Sequence, residues 1–490
     1  MSTLSQLGDT INEDYLGFNP TSNSTKPPHI ANGLFRCVTG ENCNTEDLHN
    51  WVLSEEKKGS MTSEEIKSTY SSILENGEQE HTENVKQLRY LLNEIFDHDK
   101  TVYPDRDFSV YNVCCHWLIS KRVPSEANIG DFILRILSYK IDGKRSPALD
   151  LMRKALVKDD DDLSKILKPI ISLQSQSSPM RNLGDIDYPN DEDVKWDECK
   201  RVIRKGFDNL AENIYRLNED GNSLVVQERM VNFTGFAVLL YMINAKYASE
   251  GIRTPVLIDS GRDIESIKRA SEQSYTLAKK SVEDYYIASI YNQLKAFVAN
   301  TPESCEQWLR EEFNVAGEKE HEDIEEAVNK YYNSFKKEGE SPLFALSHAL
   351  QIILYTFKYK NNSPSDFCRV VGVRFGIVGP RGNRANVKRY LFDSFTLETV
   401  ALSVLSPNEL LYGISFKEFG SKLMKEYRIM LGTDVEEEIS CLSAFNIAQN
   451  TPGDLRGDLS INSKEIADIY ISLGHGKRYA DGVTFIKWRA

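Results

Sequence analysis

Apolar residues recur three and four positions apart along most of this chain, the spacing that gathers them on one face of an α-helix. The pattern predicts helices at LHNWVL, SEEIKSTYSSIL and VKQLRYLLNEIF, then at SVYNVCCHWLI, IGDFILRILSY, ALDLMRKAL and LSKILKPIISL. A second helical block opens at VKWDECKRVIRKGFDNLAENIYRL. The run from Phe233 to Ile243 is apolar on every side, which predicts a helix at the centre of a core. RTPVLID, Arg253 to Asp259, has the proline and β-branched residues of a short strand, and a long amphipathic stretch extends from Ile264 to Val298. The opening residues are rich in Ser, Thr, Asn and Pro and predict irregular chain. Gln174 to Asp193 has no period and many turn formers, the mark of a boundary. The expected organisation is mainly α and multi-domain. It has an irregular segment 1–44, an N-terminal helical domain 45–173, a central helical domain 194–340 and a C-terminal region 341–490.

That last region departs from the purely helical pattern. Ser363 and Pro364 open a helix as N-cap and first helical residue, and Gly376 is placed to end it. Ile377 and Val378, the turn PRGNR and the return VKRYLF then read as a hairpin. The glycines here do not match G-x-G-x-x-G and come after a helix instead of opening one, so a phosphate-binding loop is excluded. The outline recurs at the C-terminus. A helix Ser415 to Leu431 has a capping box, Ser415 with Glu418, and EEEISCLSAFNIAQ and NSKEIADIYISLG add two more. KRYADGVTFIKW then supplies two strands around Asp481-Gly482. Helices and then a hairpin are the order of winged-helix-like modules.

Charge sets this region apart. The 490-residue chain carries a formal net charge of -14, yet Pro364 to Ala490 holds 16 basic and 15 acidic residues. Between Phe367 and Phe392 there are six basic residues and no acid. The candidate contact residues are Arg374 in the preceding helix, Arg381, Arg384, Lys388 and Arg389 on the first hairpin, and Lys477 and Arg478 on the second. Basic side chains of this kind meet phosphates beside a groove-reading helix.

Other chemistry is sparse. His29, Cys37, Cys43 and His49 lack the close pairing of zinc ligands. Cys114, Cys115 and His116 point around a helix and not at one site, and His348 lies on an apolar helix. Asp159 to Asp162 suit a helix N-terminus and lack calcium-loop spacing. No signature of a hydrolase, zinc protease or kinase is present. Eight scattered cysteines, no signal-peptide pattern and an apolar run about half the ~20 residues needed to span a bilayer predict a reduced, cytoplasmic chain with no membrane partner. The expected function is a non-catalytic interaction subunit of a multi-protein nucleic-acid-associated complex, with protein partners, DNA or partner contact through the basic hairpins, and no cofactor or metal. The rival expectations are a metal-dependent hydrolase or nuclease centred on Asp259, or a purely structural adaptor.

Overall fold

A computed structural model describes residues 2–20, 25–39, 122, 124–157, 196–314, 321–381, 387–480 and 482–488. The expected helices between residues 45 and 121, LSKILKPIISL, the boundary at 174–193 and the residues Cys43, His49, Cys114, Cys115, His116 and Asp159 to Asp162 lie outside them.

The described chain is mainly helical, with short strands. Its centre is the Ser223–Asn244 helix, opened by Asn222, whose side chain accepts from the backbone of Leu224 and Val225. From Val226 onward nearly every residue of this helix is buried, as its all-apolar run requires. Helices Pro27–Thr39, Pro147–Val157, Glu198–Arg216, Glu265–Leu294, Pro364–Arg374 and Ser394–Val404 pack around it. Buried residues from Leu4 to Trp488 join one contiguous core. A smaller cluster, including Leu257, Ile267, Met430 and Leu459, lies under the C-terminal helices.

Among the described residues of the expected irregular segment, Leu4–Thr10, Ile11–Leu16 and Pro27–Thr39 are helical. Thr3 and Gln6 form a capping box at the Leu4–Thr10 helix, and Pro27–Thr39 is a helix buried along its whole length. The turn formers that suggested irregular chain fall in the stretch before Pro27, and enclosure by neighbouring helices stabilises the Pro27–Thr39 helix itself. The crossing of Pro27–Thr39 with Ile129–Ser138 depends on glycine: a Cβ on Gly130 would lie 2.3 Å from the Gly33 carbonyl. Nearby, the buried Glu126 carboxylate pairs with Arg36 and accepts from Asn32 at 2.7 Å. Arg204, 2% exposed, donates to the carbonyls of Ile136, Tyr139 and Lys144 and pairs with Asp208, tying down the turn after Ile129–Ser138.

Other expected elements are shortened. The helix starting at Phe416 ends at Tyr427, because Arg428 adopts φ +54. Ile429–Met430 becomes a strand that pairs in parallel with Val256–Leu257, a partner far away in sequence. Buried Asn462 clamps this join by donating to Ile258 O at 2.8 Å and to Leu431 O at 3.4 Å and accepting from Ser260 N at 2.9 Å. The single helix expected at EEEISCLSAFNIAQ is broken by Asn446, φ +59, into Val435–Ala444 and Ile447–Asn450. Pro342–Ile353 continues as a π-helical turn, Leu354–Tyr359.

Candidate functional site

Both hairpins form. In the first, Val378–Gly379 pairs antiparallel with Arg389–Tyr390. Gly376 ends the preceding helix at φ +66, and a Cβ there would meet the Asp393 carboxylate at 1.8 Å. Tyr390 is buried and rests edge-on against Tyr275 at 5.6 Å. Its backbone is fixed at both ends: its N–H donates to Ser271 Oγ and its carbonyl accepts from Asp259 N.

This anchoring engages the basic side chains of the hairpin that lie among the described residues. Arg389 pairs with Asp259, whose side chain is 1% exposed, and Asp259 also accepts from Gly261 N at 2.8 Å. Both oxygens of the carboxylate considered as a metal ligand are thus engaged. Arg381 pairs with Asp393 at 3.1 Å, while Asp393 caps the Ser394–Val404 helix; burial pushes the Asp393 carboxyl up. Lys388 is 8% exposed and donates to the Pro380 carbonyl at 2.7 Å, and burial, then the charge of Arg369, pushes its ammonium down. Arg374 donates to Thr25 O at 3.2 Å. Arg384 lies outside the described residues.

The second hairpin is different. Gly476–Arg478 and Thr484–Ile486 pair antiparallel, and Ile414–Ser415 adds a third strand beside Thr484–Ile486. Strand alternation sends Arg478 and Thr484 to one face and Lys477 and Phe485 to the other. Arg478 turns back onto the preceding Leu455–Ser472 helix and pairs with Asp468 at 2.7 Å. Lys477 stays exposed, its ammonium 5.1 Å from the centre of the Tyr479 ring. Tyr479 packs edge-on against Phe485 at 5.4 Å. Lys487, two residues on from Phe485, is exposed on the same face. Among the described residues neither Lys477 nor Lys487 has a carboxylate within ion-pair distance, in contrast to Arg389, Arg381 and Arg478.

Exposed apolar groups lie on and next to this sheet in the chain: Tyr479 at 48% and Val483 at 41% in the hairpin, and Tyr412 at 79%, two residues before strand Ile414–Ser415. The sheet's base is firmly held. Trp488 stacks on His475 at 4.1 Å, and His475 meets Glu398 at 3.1 Å. Lys487, Tyr479 and Tyr412 escaped the sequence search. The signal for the first two was present, as V-x-F-x-K alternation in VTFIKW and the neighbouring Tyr in KRYADG.

The remaining candidates are accounted for structurally. His29 accepts from Lys26 N at 3.2 Å, and Cys37 is a buried thiol. His348 stacks on Phe335 at 3.8 Å and meets Glu340 at 3.0 Å. Among the described residues, no three His, Cys, Asp or Glu side chains gather at a metal-binding position, and no helix is long and apolar enough to cross a membrane. Set against protein-family models, curated proteins and solved structures, the chain shows no match in any of the three comparisons.

Proposed function

We propose that this chain is a non-catalytic interaction subunit of a nucleic-acid-associated assembly, with the C-terminal sheet as its contact surface and the acidic helical body docking partner proteins. One observation carries the reading: two lysines without carboxylate partners among the described residues share an open sheet face with Tyr479 and Phe485. Ammonium groups on a flat edge meet backbone phosphates without reading sequence, and a neighbouring aromatic ring lies well against a sugar or an unstacked base. Strand Ile414–Ser415, a run of helices and then an antiparallel pair, in the spatial order first, third, second, support a winged-helix-like module. In this reading the first hairpin is a structural clasp, since its arginines hold internal acids.

Fluorescence anisotropy with duplex DNA at about 50 and 200 mM salt tests the proposal, because phosphate contacts weaken steeply with salt. We expect salt-sensitive binding that a Lys477→Glu/Lys487→Glu variant loses and an Arg381→Glu variant retains. No binding at the lower salt would sink the nucleic-acid reading. Docking of an acidic protein on the same face is the second reading, favoured by the exposure of Tyr412, because aromatic residues dominate protein contacts. It predicts that Tyr412→Ala/Tyr479→Ala releases a bound partner while duplex binding is absent.

A further inference from the structure

A cleft of about 730 Å³ runs beside the Glu265–Leu294 helix, away from the C-terminal sheet, and its walls come from Pro342–Ile353, Pro364–Arg374 and the first hairpin. That volume lies within the range of small-molecule sites. Its two ends differ in chemistry. Near Tyr275 the lining is cationic: Lys279, Arg369 and Lys388. About three turns further along the helix, roughly 18 Å at 1.5 Å per residue, the lining becomes apolar with Ile287 and Phe344. Phe344 is 40% exposed, which is unusual for a phenylalanine on a packed helix.

Two of the acids that line the cleft are paired with other groups. Asp284 pairs with Lys246 at 2.7 Å, and Glu340 meets His348. Burial pushes the Glu283 carboxyl up, while Ser365, from which it accepts at 3.3 Å, and the positive charge of Lys279 pull it back. Lys279 has no ion pair among the described residues, and Arg369 has only a long one, 3.8 Å to Asp366. Arg369 also sits close enough to Lys388 to push its ammonium down further than burial alone, so two positive groups crowd one another. An independent observation points the same way. Tyr275 lines this end, is 4% exposed, and its hydroxyl has no hydrogen-bond partner among the described residues. A buried donor without an acceptor costs free energy that an anion recovers once a small shift of the ring opens the hydroxyl to the cleft.

We propose that this cleft binds a small phosphorylated organic molecule, with the phosphoryl group held by Lys279, Arg369 and Lys388 beside the Tyr275 hydroxyl and an apolar or aromatic body lying along Ile287 and Phe344. The site is separate from the C-terminal sheet and does not depend on what that sheet binds.

Isothermal titration calorimetry with pyrophosphate and with ADP as probes tests it on the full chain. Both are expected to bind, ADP more tightly. Lys279→Gln/Arg369→Gln is expected to weaken both by about tenfold or more, the loss typical of charged hydrogen bonds. Phe344→Ser is expected to weaken ADP alone. Both basic side chains are partly exposed, so the melting temperature of the ligand-free double variant, measured alongside, should match the wild type and show that folding is intact. Tyr275→Phe keeps the ring packing and reports the hydroxyl separately. Three results would overturn the proposal: no heat from either probe at millimolar concentration, affinities unchanged in the double variant, or binding abolished by Lys477→Glu/Lys487→Glu, which would move the phosphate to the sheet.

Discussion

Glu438 is 2% exposed, and its carboxylate accepts from the backbone N–H groups of Gly432 at 2.7 Å and Thr433 at 2.9 Å. Burial pushes this carboxyl up from its ordinary value, against the opposing pull of those donors. A carboxyl raised in the folded state gives stability that is complete below its unfolded pKa and is lost as pH rises through the folded value. Glu438→Gln removes the titration. The unfolding free energy of the variant should therefore gain on the wild type as pH rises from about 4 to 7, measured by urea denaturation. A difference, variant minus wild type, that stays flat or falls with rising pH would refute the assignment. Residues of this kind were invisible in the sequence, where Glu438 is one acid in the run EEE. The same holds for the arginines. Charge counting placed Arg389 and Lys477 together as contact residues, but it cannot register that Asp259, 130 positions away, faces Arg389. Whether a charge is available to a partner depends on distant residues, so it is a property of the fold.

Among elements, those with local signals were legible and those made by distant pairing were not. Ser363 accepts from Asp366 N as an N-cap, Ser415 and Glu418 form their capping box, and both hairpins fall where glycine and turn residues placed them. Two-residue strands such as Val256–Leu257 and Ile429–Met430 carry no period, and their parallel pairing joins segments that no local pattern relates. The first hairpin owes its position to such distant contacts, which makes it sensitive to one bond. Arg389→Ala would leave the Asp259 carboxylate, 1% exposed, without its cation, and we expect a loss of about 3–5 kcal/mol in unfolding free energy. Asp259→Asn/Arg389→Met, which removes both charges, should lose distinctly less. Equal losses in the two variants would mean that packing, not the ion pair, holds the hairpin.

Across the whole molecule, the central Ser223–Asn244 helix collects neighbours from both ends of the chain, and the core it organises reaches from Leu4 to Trp488. Its all-apolar run announced this burial, whereas the identity of the helices that cover it could not be read from periodicity, since an amphipathic face does not name its partner. The join between Val256–Leu257 and Ile429–Met430 shows what this implies for sequence change. Its hydrogen bonds run between main-chain atoms, Val256 N to Arg428 O and Ile258 N to Met430 O, so no substitution except proline at a donor position deletes them. The side chains need only fill apolar space, which exchanges of similar volume do at a cost below about 1.5 kcal/mol. Asn462 has no such latitude, because its amide bonds Ile258 and Ser260 on one segment and donates to the Leu431 carbonyl at 3.4 Å on the other. A saturation library selected for folded protein should therefore return Val, Ile, Leu and Met almost interchangeably at 256, 257, 429 and 430 and little besides asparagine at 462. Descendants of this chain are free to drift at the join's four strand positions while the one residue that clamps it stays put.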